Sequence, residues 1–213
     1  MIAIVDYGMG NLRSMAKALE YVGGDALLTS DAADIRRADR IVLPGVGAFG
    51  EAMENLHSTG LVDVLAEEVL QGGKPFLGVC LGMQLLARTS VEHGRHEGLG
   101  WLAADVLPLT ITASDVRVPH TGWNDIELQI AAGTALSRVR PGTAFYFNHS
   151  FHLVPDDRSV IAAHTVHGHE IVAAIAQDNI CATQFHPEKS QQAGLELLAD
   201  FVAWTPASAR AAA

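Results

Sequence analysis

Pro75-Phe76-Leu77-Gly78-Val79-Cys80-Leu81-Gly82-Met83-Gln84 reads as a strand, a sharp turn and the start of a helix. Residues 75–79 are apolar without alternation, as a strand buried between two layers must be. Gly78 and Gly82 bracket Cys80 in the pattern G-x-nucleophile-x-G, where glycine permits a turn that would strain other residues. That turn lifts the thiol clear of the sheet edge. The following helix then aims its N-terminal amides and dipole at the sulfur, which favours the thiolate. Taken alone, the stretch is equally readable as a small cysteine packed in a core strand.

The same alternation repeats on either side of this stretch. Residues 2–6 form a buried strand, and residues 11–22 a helix with Leu12, Met15, Ala16 and Leu19 on one face, closed by Gly23-Gly24. Residues 40–43 are a strand ended by Pro44-Gly45. Helical periodicity covers 48–56 and 62–70, and a further helix 81–87. Strands alternating with helices call for parallel pairing with helices on both faces. The second half changes: strand-like runs at 116–118, 144–147, 151–154, 159–166, 170–176 and 180–184 are separated by turn residues such as Pro141-Gly142 and His167-Gly168. These predict hairpins and an antiparallel section added to the sheet. A last amphipathic helix spans 191–204. The expected fold is α/β and three-layered: a mostly parallel central sheet flanked by helices, with an added antiparallel section. One domain covers 1–204, and 205–213 is a disordered tail.

The chain has 213 residues, 49% of them hydrophobic and 18% charged, enough for a sizeable core and too apolar for wholesale disorder. Fourteen basic against twenty-four acidic residues give a net charge of −10, which disfavours nucleic acid as a partner. No run is long and apolar enough for a membrane span, and the start lacks the basic region of a signal peptide. A cytoplasmic protein is expected. Cys80 and Cys181 make no disulfide framework, and Cys181 is expected in the core.

A thiol nucleophile needs a base, and the base needs an orienting group. Gln184-Phe185-His186-Pro187-Glu188-Lys189 supplies both, because residues two apart in an extended segment share a face. His186 takes the thiol proton and Glu188 fixes the imidazole. Gly45-Val46-Gly47-Ala48-Phe49-Gly50 matches a dinucleotide fingerprint mechanically, but an acidic ribose ligand is missing at the end of the next strand. The turn suits backbone donation to an oxyanion instead, from the amides of Val46 and Leu81. Ten histidines include His164, His167 and His169, with no spacing that makes a zinc site; they read as turn and surface residues, and no metal is expected.

With these features in hand, the chain resembles the class I (triad) glutamine amidotransferases, and within them the glutaminase subunits of imidazole glycerol phosphate synthase. The resemblance rests on the Cys80, His186 and Glu188 constellation and on Asp6-Tyr7-Gly8-Met9-Gly10-Asn11-Leu12-Arg13-Ser14, Leu43 to Phe49, Gly98-Leu99-Gly100-Trp101, Val118-Pro119-His120 with Gly122-Trp123-Asn124, Tyr146-Phe147 with His149-Ser150, and His186 to Ser190. It implies hydrolysis of glutamine to glutamate and ammonia through a cysteine thioester, without a cofactor. Ammonia is channelled to a (β/α)8-barrel cyclase subunit, which makes imidazole glycerol phosphate and an aminoimidazole carboxamide ribonucleotide in histidine biosynthesis.

The resemblance also implies a glutamine pocket of Gly47, Gln84, Glu92, Ser150 and Phe151, and a cyclase-facing surface of Asn11, Trp123, Tyr146 and Lys189. Glu92 would meet the ammonium of glutamine, and Gln84, one helical turn after Cys80, shares its face. The strand around Val46 would turn its amide inward only when the partner binds its nucleotide. Asn148, Thr121 and Phe151 depart from the family's usual residues. Two other classes of reading stand beside this one: a free-standing cysteine hydrolase of the same fold (a peptidase or γ-glutamyl hydrolase), and a non-catalytic nucleotide-binding module using Gly45 to Gly50.

Overall fold

The computed structural model describes residues 1–110, 116–129 and 133–206; the tail expected after 204 lies, from 207 on, outside them. In chain order the main elements are β1 (Ile2–Val5), α1 (Leu12–Tyr21), β2 (Ala26–Thr29), α2 (Ala32–Arg37), β3 (Arg40–Gly45), α3 (Phe49–Ser58), α4 (Leu61–Ala66), β4 (Phe76–Cys80) and α5 (Leu81–Gln84). They continue as β5 (Thr89–Ser90), β6 (His96–Glu97), β7 (Ala104–Pro108), β8 (His120–Leu128), β9 (Thr143–His149), β10 (Phe151–Pro155), β11 (Ile161–His167), β12 (His169–Gln177), β13 (Ile180–Thr183) and α6 (Gln191–Ala203).

The large sheet runs β2-β1-β3-β4-β13-β12-β11-β8-β9. From β2 to β13 every pairing is parallel, and from β13 to β9 every pairing is antiparallel. The strand period of two divides the core. Ala3 and Val5 of β1 pack under α2, α3 and α4 with Ile35, Leu56 and Leu65. Ile2 and Ile4 pack on the other face with Met15 and Leu19 of α1 and Leu198 and Phe201 of α6. Both faces are covered, which is why these strands are continuous apolar runs.

Several expectations need correction. Residues 116–118 are irregular rather than a strand. The helix after Cys80 stops at Gln84, and β3 continues through Pro44 to Gly45, where it pairs with Cys80. Residues 151–154 leave the main sheet: β10 joins a second sheet in the order β10-β7-β5-β6. That small sheet escaped the reading because β5 and β6 have two residues each and β7 mixes buried Ala104 and Val106 with a polar neighbour, Asp105. The chain crosses from one sheet to the other at Ser150, which makes a wall facing Cys80.

Candidate active site

The turn at Cys80 is the geometry its glycines require. Cys80 has φ 54° and ψ −107°. A Cβ on Gly82 would stand 1.8 Å from the Leu43 carbonyl oxygen, and one on Gly78 would stand 2.8 Å from that of Gly82. Strand and helix therefore meet at a separation only glycine allows. The register of β3 on β4 pairs Gly45 with Cys80, so Val46 and Leu81 are each the residue following a matched pair. Both line the pocket at the sulfur.

His186 follows β13 and is 2% exposed. Its Nδ1 donates to Glu188 Oε1 at 2.9 Å, with both side chains almost wholly buried. The two do not share an extended segment, as the spacing suggested: Pro187–Lys189 is a single 3-10 turn. Ser190 ties that turn down. Its hydroxyl donates to the His186 carbonyl at 2.6 Å and accepts from the Tyr146 amide at 3.0 Å. The His186 amide donates to the Tyr146 carbonyl. Burial works against a charge on His186. Hydrogen bonds to Cys80 and Glu188 outweigh it, and the imidazole is pushed up to about 9. Glu188 Oε1 also accepts from Asn11 at 3.3 Å, so the Asn11 amide is turned toward the Glu188 carboxylate.

The pocket at Cys80 holds about 260 Å³ and is lined by the candidates Gly47, Gln84, Glu92, Ser150 and Phe151 together with Pro119 and Asn148. This is a size for an amino acid rather than a dinucleotide. Glu92 Oε2 accepts from the Phe49 amide at 2.8 Å, which fixes the carboxylate at the first turn of α3. Gln84 donates to the Phe151 carbonyl at 2.9 Å and to Gln184 Oε1 at 3.1 Å. Gln184 points its Nε2 at the Cys80 sulfur, 3.7 Å away. No local pattern singles out Gln184: the parallel register of β13 on β4 pairs Thr183 with Val79, so the residue after Thr183 comes beside Cys80. Tyr7, also unassigned, donates its hydroxyl to the Pro44 carbonyl at 3.0 Å, and burial holds its ionisation well above the usual range.

The glycines of the apparent dinucleotide fingerprint have packing reasons. Added Cβ atoms at Gly45, Gly47 and Gly50 would meet the Tyr7 hydroxyl at 2.5 Å, Met9 Cε at 2.5 Å and the His96 ring at 2.6 Å. Glu67 and Glu68 pair with Arg36 and Lys74, away from this turn. Thr121 and Asn148 face each other across β8 and β9, and the Thr121 hydroxyl donates to Asn148 Oδ1 at 3.0 Å. Trp123, Tyr146 and Lys189 also come together: the two rings meet edge to face at 6.2 Å, and Lys189 Nζ lies 6.0 Å from the Tyr146 ring centre. Cys181 is fully buried and its thiol is pushed up to about 12 by that burial.

The family model for class I glutamine amidotransferases matches residues 3–204. The imidazole glycerol phosphate synthase subunit HisH of Rhodospirillum rubrum is 45% identical over 212 residues, covering 96% of this chain and 99% of that one. The HisH subunit of Geobacter sulfurreducens is 48% identical, covering 94% and 97%. The chain belongs to the HisH family of class I glutamine amidotransferases. The HisH subunit of Aquifex aeolicus is 47% identical, over 93% of this chain and 94% of its own. Among solved structures, a glutamine amidotransferase superposes with a TM-score of 0.73 at 19% identity, covering 95% of this chain and all of the other. PurLQS from Thermotoga maritima gives 0.71 at 18% identity, covering 95% and 96%. Those two likenesses carry the fold. HisH membership makes the chain a glutamine amidotransferase. No helix among the described residues is long and apolar enough to cross a membrane.

Proposed function

We propose that this HisH-family chain hydrolyses glutamine at Cys80 and hands the ammonia to a (β/α)8-barrel cyclase subunit of imidazole glycerol phosphate synthase. What carries the reading is the buried, hydrogen-bonded His186–Glu188 pair, with Cys80 near enough to favour the charged imidazole, and a positive-φ Cys80 that lines a pocket of amino-acid size. The Cys80 thiolate attacks the side-chain carbonyl carbon of glutamine. The C–O π electrons move to oxygen, and the amides of Val46 and Leu81 receive that oxyanion. His186, protonated at neutral pH, gives its proton to the departing nitrogen. Ammonia leaves and a thioester remains. Water then adds to the thioester carbonyl as His186 takes its proton. Collapse releases glutamate and restores the thiolate. Glu188 holds the imidazole by its Nδ1–H throughout, as an orienting carboxylate does. Glu92 receives the ammonium of glutamine, Gly47 and the main chain at Ser150 and Phe151 bind the rest of the substrate, and Asn11, Trp123, Tyr146 and Lys189 belong to the surface that meets the cyclase. The two free thiols suit a reducing cytoplasm.

The test is glutamate release from glutamine by wild type and Cys80→Ala, each alone and with the cyclase and its nucleotide ligand. Turnover that depends on Cys80 and rises at least about tenfold with the liganded partner is expected, within the range of ordinary coupling energies. Equal turnover without a partner would make the chain a free-standing hydrolase, and turnover independent of Cys80 would remove the mechanism altogether.

A further inference from the structure

Two buried histidines outside the triad, His120 on β8 and His149 at the end of β9, lie across from each other with Nδ1 of His120 2.9 Å from Nε2 of His149. Their protons can be assigned from their neighbours, since a carbonyl oxygen only accepts. His149 Nδ1 lies 2.8 Å from the Phe151 carbonyl, so it carries a hydrogen. In the neutral ring Nε2 is then an acceptor, and His120 Nδ1 must be the donor to it. His120 Nε2, left as an acceptor, takes a hydrogen from Asn124 Nδ2 at 3.1 Å. The orientation of Asn124 is set independently, because the same nitrogen donates to the Val166 carbonyl at 2.9 Å and its Oδ1 accepts from the Asp125 amide. From Asn124 through His120 and His149, each bond runs toward the Phe151 carbonyl.

That carbonyl is shared with the glutamine pocket. It also accepts from Gln84 Nε2, whose second hydrogen goes to Gln184, and Gln184 reaches the Cys80 sulfur. With both amide hydrogens committed, Gln84 can offer a substrate only its acceptor oxygen.

Resting on the reading of this pocket as the glutamine site, we propose that His120 and His149 are positioning residues for glutamine: a pair of neutral Nδ1–H tautomers that fixes the Phe151 carbonyl and, through it, Gln84. A second proton on His149 would set its Nε2–H against the Nδ1–H of His120, so the pair works only uncharged. Its surroundings enforce this. His120 is stacked between Phe147 and His167 at 4.5 and 4.1 Å. Burial, with His167 adding repulsion, holds His120 at about 4. Burial likewise holds His149 at about 3, against the bond to the Phe151 carbonyl and with repulsion from His120, His152 and His167. The pair is therefore locked across the neutral range.

The test uses the full chain with its cyclase partner and follows glutaminase kcat and KM for wild type, His149→Asn, His149→Gln, His149→Phe and Cys80→Ala. An asparagine Nδ2 can replace the Nδ1 donor; glutamine places its amide where Nε2 was, and phenylalanine keeps only the ring. KM is expected to stay within about threefold in His149→Asn and to rise about tenfold or more in His149→Gln and His149→Phe, the size of one lost buried hydrogen bond. A merely structural role would lower the active fraction and hence kcat, leaving KM in place. Unchanged KM in both His149→Gln and His149→Phe, with Cys80→Ala inactive, would overturn the positioning role alone. Activity in Cys80→Ala would overturn the reading of the pocket on which it rests. Should the variants fail to fold, imidazole nitrogen shifts of the wild-type protein decide: Nδ1–H on both rings supports the proposal, and Nε2–H on either overturns it.

Discussion

Cys80 is held at φ 54°, a conformation that costs a residue with a side chain on the order of 1–3 kcal/mol and persists only where packing over-determines it. Gly82 does much of that holding, since nothing larger fits against the Leu43 carbonyl. Gly82→Ala is expected to destabilise the chain by about 3 kcal/mol or to displace the elbow, read from the denaturant midpoint and from lost thiol reactivity. His186 offers a test by pH. Its folded value of about 9 lies above the ordinary 6.5, although burial alone would lower it, because the bonds to Cys80 and Glu188 favour the charged ring. The stability it contributes is fully present below about pH 6.5 and is lost as pH rises through about 9. The difference in thermal midpoint between wild type and His186→Asn should therefore be largest near pH 6 and shrink toward pH 10. A difference constant over that span would mean that the imidazole is not charged in the native state.

At the scale of elements, apolar runs were legible where both faces are buried. β1, β3, β4, β13, α1, α3 and α6 stand within a few residues of where periodicity puts them, because their patterns report burial directly. α2 was not legible. It has six residues with a single buried side chain, Ile35, and is set by Asp31, whose carboxylate accepts from the Ala33 amide. The end of α4 was misread for a different reason. Residues Glu67–Gln71 wind into a wide π turn, and Asn179, distant in sequence, donates to the Val69 and Lys74 carbonyls beside it at 2.8 and 2.7 Å. Asn179→Ala leaves two carbonyls short of a donor and should cost about 2 kcal/mol in chemical denaturation, with the KM for glutamine unchanged.

For the whole molecule, the outer side of β8 and β9 is the surface proposed to meet the cyclase. Trp123 is 49% exposed at the end of a row with Tyr146 and Lys189, and aromatic anchors of this type carry most of an interface's energy. Trp123→Ala should weaken cyclase binding by at least about tenfold in Kd by calorimetry, with the circular dichroism of the free chain unchanged. The same two strands carry Asn124, His120 and His149 inward, and the Tyr146 backbone bonds to His186, so that surface and the proposed catalytic base share one piece of sheet.

The sequence by itself determined the elbow at Cys80, the pairing of His186 with Glu188, the alternation that makes a parallel sheet, and the family. These are readable along the chain, as glycine spacing, apolar periodicity and a fixed order of motifs, although His186 and Glu188 meet through a 3-10 turn and not through the expected period of two. Only the tertiary structure decided that residues 151–154 leave the main sheet, that Gln184 faces the sulfur, that Thr121 meets Asn148, and that His120 and His149 form a directed pair behind the pocket. Each of these joins residues on different strands, and no pattern within a single segment records which side chain stands across a ladder or where a chain changes sheets. Hydrogen-bond direction, in particular, exists only once donors and acceptors from distant segments are held about 3 Å apart.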